Sequence, residues 1–390
     1  MTRSKAGDTE GAKGTITFLI TSLYRGGAET QVVRVAIGMK QRGWLTRIVT
    51  VMDHNDFETA LASAGIPVES LSIPRGRYDP RSLTRLVRIL RNHHPDVICT
   101  FMYHANVLGR IAARLVGIPI VVSSIRNLLF GGRLSERLMS ATDRLANVTT
   151  TNSVQVAQQL VQKGIVDPRR MLVIPNAIQT SALSVPQPTR AELVGPGLED
   201  RWLWLSVGRL EPQKAHHVLL KALALLRSDG RDVHLALVGA GSLERDLLAL
   251  SERLGLSGNV TFLGYRNDVR DLMAVADGFV LASGWEGLPN AVIEACLARL
   301  PVVATDVGGV SEIVEDATSG IVVTPNDPMS LFRGMRTLIT LPREDRETMV
   351  EKAYEDVSLK FASTHVMARW DALFSSLVGA GLPGRPDARN

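Results

Sequence analysis

Short β-branched runs alternate with longer helical patterns along almost the whole chain, and that alternation leaves few folds open. Runs at 15–20, 46–51, 97–101, 120–123, 148–152 and 171–175 read as strands, while stretches such as 29–42 and 107–116 carry a 3.6-residue period. Strands separated by helices need right-handed crossovers, which build parallel sheets. After Ile178 the pattern stops, and 180–200 collects Ser181, Ser184, Pro186, Pro188, Gly195, Pro196 and Gly197. It restarts with runs at 202–207, 234–238, 260–263, 278–282, 301–305 and 320–323. The expected fold class is therefore α/β: two facing Rossmann-like parallel-sheet domains with a cleft between them, where ligands bind outside the carboxyl ends of the strands. The expected divisions are a disordered leader 1–14, a first domain 15–182, a linker 183–200 and a second domain 201–361. A helix 362–378 that could cross back to the first domain and a flexible tail 379–390 complete the chain.

Composition agrees with this division and removes other classes. With 390 residues, 45% hydrophobic and 21% charged, the chain is too long for one ordinary core and too apolar for disorder. No apolar run approaches the ~20 residues of a membrane-spanning helix, and no signal-peptide pattern stands at the start, so the expected location is cytoplasmic. Cys99 and Cys296 are too far apart in sequence and too few for a disulfide scaffold or a Cys-rich zinc site, and are expected to be reduced and buried.

Charge is divided unevenly. Residues 1–185 hold 23 basic and 12 acidic side chains, whereas 186–390 hold 21 and 27. A basic half suits nucleic acid, an anionic membrane surface or a phosphate-bearing substrate. The charge concentrates between Arg75 and Arg91, with Arg77, Arg81, Arg85 and Arg88 between them. Arg81, Arg85 and Arg88 share a helical face with Leu83, Leu86, Val87 and Leu90 behind it, a pattern that a merely solvated face also shows. No aromatics interleave with these charges, so nucleic acid is not an expected partner.

Three post-strand loops carry chemistry. Ser22-Leu23-Tyr24-Arg25-Gly26-Gly27-Ala28-Glu29 leads into a helix, and paired glycines at a helix start let amides approach an anion. Val207-Gly208-Arg209-Leu210-Glu211-Pro212-Gln213-Lys214 places an Arg and a Lys five residues apart beyond a strand, where they could clamp a diphosphate. Ser283-Gly284-Trp285-Glu286-Gly287-Leu288-Pro289-Asn290-Ala291-Val292-Ile293-Glu294 brings two carboxylates and free amides to a helix start, with Pro289 suited to the first turn. Asp306-Val307-Gly308-Gly309-Val310-Ser311-Glu312 repeats the design. No Asp-x-Asp pair occurs, so a carboxylate seat for a metal–diphosphate complex is missing and cationic side chains would take its place.

Taken together and in this order, these motifs resemble the retaining glycosyltransferases of family four, of the bacterial polysaccharide-biosynthesis type. The resemblance runs from about Thr15 to Phe374 and includes Ile174-Pro175-Asn176 and Val260-Thr261-Phe262-Leu263-Gly264. It implies the glycosyltransferase B fold, with acceptor on the first domain and nucleotide sugar on the second. By the same resemblance Glu286 contacts the donor sugar hydroxyls, Glu294 the ribose, Arg209 and Lys214 the diphosphate, and the Gly26 and Gly27 amides its distal phosphate. Gly208, Arg266, Gly287, Leu288, Pro289, Asn290 and Glu312 complete the implied donor site. His104, in Tyr103-His104-Ala105-Asn106, matches a histidine facing the reacting sugar, although read alone it is a structural histidine.

Ala215, Ala177 and Arg299 stand where the family usually has glycine. The implied reaction is metal-independent transfer of a hexose, with retention, from a nucleoside-diphosphate sugar, UDP being favoured, to a saccharide or polyprenyl-diphosphate-linked acceptor. No cofactor is implied. The +11 half, with Arg81, Arg85 and Arg88 foremost, would dock peripherally on the inner face of the membrane. The competing readings are a nucleotide-sugar 2-epimerase or phosphorylase of the same fold and a non-catalytic sugar-nucleotide-binding subunit. A dinucleotide dehydrogenase fits less well, since Gly239-Ala240-Gly241 is followed by Glu244 where a third glycine belongs.

Overall fold

The computed structural model describes residues 11–74, 79, 81–126, 131–178 and 185–380. Most of the leader and tail, the first residues of the expected linker, and Arg75 and Arg77 lie outside the described residues. Packing divides the chain into two compact units. The first runs up to Ala177 and resumes at Ser363, and the second is Ile178–Ala362.

In the first unit the strands are β1 (Gly14–Ile20), β2 (Trp44–Thr50), β3 (Val68–Ser70), β4 (Val97–Phe101), β5 (Ile120–Ile125), β6 (Val148–Thr151) and β7 (Met171–Val173). They form a parallel sheet in the order β3-β2-β1-β4-β5-β6-β7. β4 and β5 are buried throughout, as expected of strands covered on both faces. The strand order reverses between β1 and β4, where a doubly wound sheet opens a crevice at its carboxyl edge.

Helix Ser363–Gly379 belongs to this unit because its apolar stripe is part of the unit's core. Val366, Met367, Trp370 and Phe374 are buried with Phe18, Trp44 and Phe101. Trp44 Nε1 donates to Asp371 at 2.7 Å. Gly38 makes room for Met367, whose Sδ would lie 2.5 Å from a Cβ there.

In the second unit β8 (Trp202–Val207), β9 (Val233–Val238), β10 (Val260–Gly264), β11 (Gly278–Leu281), β12 (Val302–Thr305) and β13 (Ile321–Val323) form a second parallel sheet. Its order is β10-β9-β8-β11-β12-β13. The reversal here falls between β8 and β11, so the loops after those two strands meet at the switch point.

The expected linker 183–200 is, over its described part, woven into this unit. Leu193, Val194 and Leu198 are buried in its core. Thr189 and Glu192 form a reciprocal capping box. Arg190 donates to the carbonyls of Val275, Leu198 and Arg201 and pairs with Asp277. The Pro, Gly and Ser content makes these residues irregular without making them loose. Among the described residues no helix is long and apolar enough to cross a membrane.

Two buried histidines give the second unit a built-in acid sensitivity. His216 and His234 are 4% and 5% exposed. Burial, reinforced by the nearby charges of Lys214 and Arg201 respectively, depresses each to about 4. Between pH 6.5 and about 4 the unfolded chain binds protons that the folded one refuses, so stability is complete above that window and is lost as pH falls through it. Each histidine contributes ~1.4 kcal/mol per pH unit within it. Urea midpoints should therefore drop between pH 7 and pH 4.5, and His234→Gln should flatten the profile. An unchanged midpoint would contradict the assignment.

Candidate active site

The best-defined cluster of expected residues is built by the loops after β8, β11 and β12. Gly208 N continues the ladder by donating to Val238 O at 2.9 Å, and Leu210 N donates to Ala240 O at 3.0 Å. The loop after β9 runs directly against this one. A Cβ on Gly239 would sit 2.0 Å from Gly208 O, and one on Gly241 would sit 2.4 Å from Leu210 O. The glycines that fail as a dinucleotide fingerprint thus allow two post-strand backbones to touch. Glu211 completes the join, accepting from Ser242 N at 3.0 Å and Ser242 Oγ at 2.8 Å.

At the centre, Lys214 Nζ lies 2.6 Å from Glu286 Oε1, with side-chain exposures of 16% and 7%. Ser283 Oγ donates to the same carboxylate oxygen at 2.7 Å, and Gln213 Nε2 to Oε2 at 3.1 Å. Gly284 N donates to Gln213 O at 2.9 Å, tying the two loops by backbone as well. The lysine stem passes over Gly208, where a Cβ would be 3.0 Å from its Cε. The loop after β12 closes the set: Thr305 Oγ1 donates to Ser283 O at 2.7 Å and Gly309 N to Gly287 O at 2.7 Å. Gly308 is required here, since its φ is +54° and a Cβ would stand 2.4 Å from Glu286 O.

Each group keeps chemical capacity. An ammonium has three donors, and a carboxylate can accept about four hydrogen bonds. Lys214 has one donor engaged with Glu286, while Glu286 accepts from three partners. Arg209 is exposed and makes no ion pair among the described residues. Helix Asn290–Leu297 starts directly after Pro289, which stands just outside the first turn, and partly buried Glu294 lies one turn into that helix. Leu288 is buried. Glu312 ends the short turn Val310–Glu312. Arg266 follows β10, two strands from the switch point. Its guanidinium is held by Asp268, with Nε 2.7 Å from Oδ1, and donates to Leu193 O at 3.3 Å. That hydrogen bonding raises its pKa.

Two of the three glycine departures sit at left-handed backbone. Ala215 has φ +45° and Arg299 φ +56°. At Ala215 the conformation costs roughly 1–2 kcal/mol. Ala215→Gly should recover up to ~1 kcal/mol, a higher unfolding temperature checking it; lower stability would contradict it. Arg299 differs, since it pairs with Glu351 at 2.9 Å and stacks on Tyr354. Ala177 has its backbone bonded on both sides by the Gln31 side chain, at 2.8 and 2.9 Å.

The remaining expected residues belong to the first unit. Gly26 and Gly27 open helix Gly27–Gln41 after β1, and His104 opens helix Tyr103–Val116 after the adjacent β4. Both therefore stand at that sheet's own switch point. Gly26 has an extended φ of −155°, so turn geometry does not demand a glycine there. Met102, two residues before His104, is held at φ +74°, a strained conformation of the kind that collects at functional sites. His104 is surface-exposed, yet burial of part of its surroundings lowers its pKa.

One residue here went unread in the sequence. Arg126, directly after β5, is 7% exposed, and burial pulls its pKa down to about 10. It donates to Asn176 Oδ1 at 2.8 Å and lies over the Phe101 ring, with no carboxylate partner among the described residues. A lone arginine at a strand end carries no sequence signal of burial.

Arg81, Arg85 and Arg88 lie on helix Arg81–His93. Arg81 and Arg88 are exposed, but Arg85 donates to Leu71 O at 2.8 Å and lies 3.9 Å from Asp79.

Two parallel sheets, each with candidate loops at its switch point, and a Lys–Glu pair between post-strand loops fit the glycosyltransferase B architecture. The model for "Glycosyl transferases group 1" matches residues 194–356 and that for "Glycosyl transferase 4-like domain" residues 26–177. The chain is 30% identical over 278 residues to the N-acetylgalactosamine-N,N'-diacetylbacillosaminyl-diphospho-undecaprenol 4-alpha-N-acetylgalactosaminyltransferase of Campylobacter jejuni, covering 69% of this chain and 72% of that one. It is 29% identical to the UDP-Gal:alpha-D-GlcNAc-diphosphoundecaprenol alpha-1,3-galactosyltransferase of Escherichia coli, covering 66% and 70%. The crystal structure of HepE from Anabaena with UDP-glucose superposes with a TM-score of 0.80 at 26% identity, over 93% of this chain and 100% of that one. The chain belongs to the family-four glycosyltransferases.

Proposed function

We propose that this glycosyltransferase moves a hexose from a UDP-sugar to a diphosphopolyprenyl-linked saccharide, with retention and without a metal ion. The observation that carries the reading is the Lys214–Glu286 pair at the second sheet's switch point, buried enough to act in low dielectric and hydrogen-bonded by Gln213 and Ser283. The two relatives named above act on diphosphoundecaprenol-linked substrates by their names, and HepE was solved with UDP-glucose.

In the proposed step the acceptor hydroxyl oxygen bonds to the anomeric carbon as the bond to the UDP oxygen breaks. The electron pair leaves with the diphosphate, and the hydroxyl proton passes to the departing phosphate oxygen on the same face. The transition state is oxocarbenium-like, so leaving-group charge is the main cost. Arg209 and the spare donors of Lys214 would meet that charge, while Glu286 would position the donor sugar and Glu294 the ribose. In the first unit, His104 would face the reacting sugar, and Arg126 would supply a cation to an acceptor phosphate.

Incubation with radiolabelled UDP-sugars and lipid-linked acceptor tests this: label should enter the lipid fraction, with EDTA present or absent. Transfer abolished by EDTA and restored by Mg²⁺ or Mn²⁺ would overturn the metal-free account, and labelling from GDP- or ADP-sugars alone would overturn the UDP assignment.

A further inference from the structure

Helix Arg133–Asp143 carries a surface unlike any other described helix. Leu134 is 79% exposed and Leu138 is 40% exposed, one turn apart. Beside them Arg133, Arg137 and Arg144 are exposed, at steps of one and then two turns. A helix of 3.6 residues per turn puts the leucines on one stripe and the arginines on the next. Soluble surfaces tolerate single leucines, but a leucine pair flanked by an arginine row is the pattern of a helix lying in a membrane interface.

This face cannot simply turn inward. The opposite side is fixed by Arg110, whose guanidinium donates to Met139 O at 3.1 Å and Thr142 Oγ1 at 3.2 Å and pairs with Asp143 at 2.9 Å. Glu136, the acid within the helix's exposed turns, is paired with Lys163 at 3.3 Å, so it subtracts little from the positive row. Helix Arg81–His93 makes the contrast. Its Arg81, Arg88 and Arg91 are exposed, yet Leu86 and Leu90 are buried and no large apolar side chain on it is exposed. It offers charge alone, which salt screens, where helix Arg133–Asp143 offers charge with apolar insertion.

We propose that helix Arg133–Asp143 docks the enzyme on an anionic lipid bilayer, with Leu134 and Leu138 entering the interface and Arg133, Arg137 and Arg144 against the headgroups. The proposal rests on the reading that the acceptor is lipid-linked, and it moves the docking surface away from Arg81, Arg85 and Arg88. The helix also follows β5 and Arg126, at the carboxyl edge of the first sheet, the edge proposed above to take the acceptor.

The test is co-sedimentation with vesicles of equal phosphatidylglycerol and phosphatidylethanolamine, and with pure phosphatidylcholine, at low and high salt. Wild type should bind the anionic vesicles preferentially. Leu134→Ser with Leu138→Ser should weaken that binding by about tenfold or more. Arg133→Glu with Arg137→Glu should abolish the preference for anionic lipid, and Arg81→Glu with Arg88→Glu should change it little. All six positions are exposed, so thermal melts should match wild type. Undiminished binding by the leucine variant, equal binding to neutral lipid, or loss only in the Arg81/Arg88 variant would overturn the proposal. Transfer to a short-chain, water-soluble acceptor separates the two claims: the leucine variant should retain it. If wild type transfers to no diphosphopolyprenyl acceptor at all, the functional reading fails, whatever the vesicles show.

Discussion

Lys214→Ala should lower kcat by roughly 10²-fold or more, because removing one preorganised donor to a developing anion typically costs about 2.7–4 kcal/mol in the transition state. Glu286→Ala should fall comparably, and for two reasons. It removes the group proposed to meet the donor sugar, and it releases the ammonium that Glu286 holds at 2.6 Å. The double variant should therefore lose less than the product of the single losses, with a coupling of about 0.5–3 kcal/mol. Glu294→Ala should instead weaken UDP binding, since the ribose contact proposed for it serves ground and transition states alike. Steady-state kinetics with calorimetric UDP titration checks the set, and strict multiplicativity of the two single losses would show that Lys214 and Glu286 do not act as a unit.

The largest effect on stability is expected away from the site. Arg110 is 0% exposed and Asp143 2%. Arg110 donates to Ser123 Oγ at 2.8 Å, and Thr149 Oγ1 donates to Asp143 at 2.6 Å. Burial already pulls the Arg110 pKa down to about 10 despite the carboxylate beside it. Asp143→Ala leaves a buried guanidinium with no counter-charge and should cost about 3–5 kcal/mol. For a unit of this size the unfolding temperature would fall on the order of 10 °C. Arg110→Met with Asp143→Leu should recover most of the loss, since no buried charge then remains uncompensated. A double variant as unstable as Asp143→Ala would show that the cost is one of packing.

What was readable in the chain follows from which forces act locally. Strands such as Val97–Phe101 and Trp202–Val207 are apolar runs interrupted by a single small polar residue each, Thr100 and Ser206, because parallel strands are covered on both faces, and such runs announce themselves. β3 is three residues long and only partly buried, too short to show a period. Residues 185–200 looked like linker because turn-forming residues dominate their composition, while three spaced apolar side chains anchor them. In the site, the residue types at Glu286 and Lys214 were legible, but their contact spans 72 positions and depends on strand order. Gly239 and Gly241 showed in sequence only as an incomplete fingerprint for the same reason, since their close approach to the neighbouring loop depends on strand order. Arg110 and Arg126 were not singled out in sequence, because burial of a single cation leaves no mark there.

The central claim is a retaining transfer from a UDP-sugar, and the anomeric configuration of the first-formed product tests it most directly. Proton NMR of the reaction, run with an α-linked UDP-hexose, a lipid-linked acceptor and EDTA, should show the small anomeric coupling of an α-glycoside from the earliest time points. A large coupling, marking a β-linked product, would contradict the account.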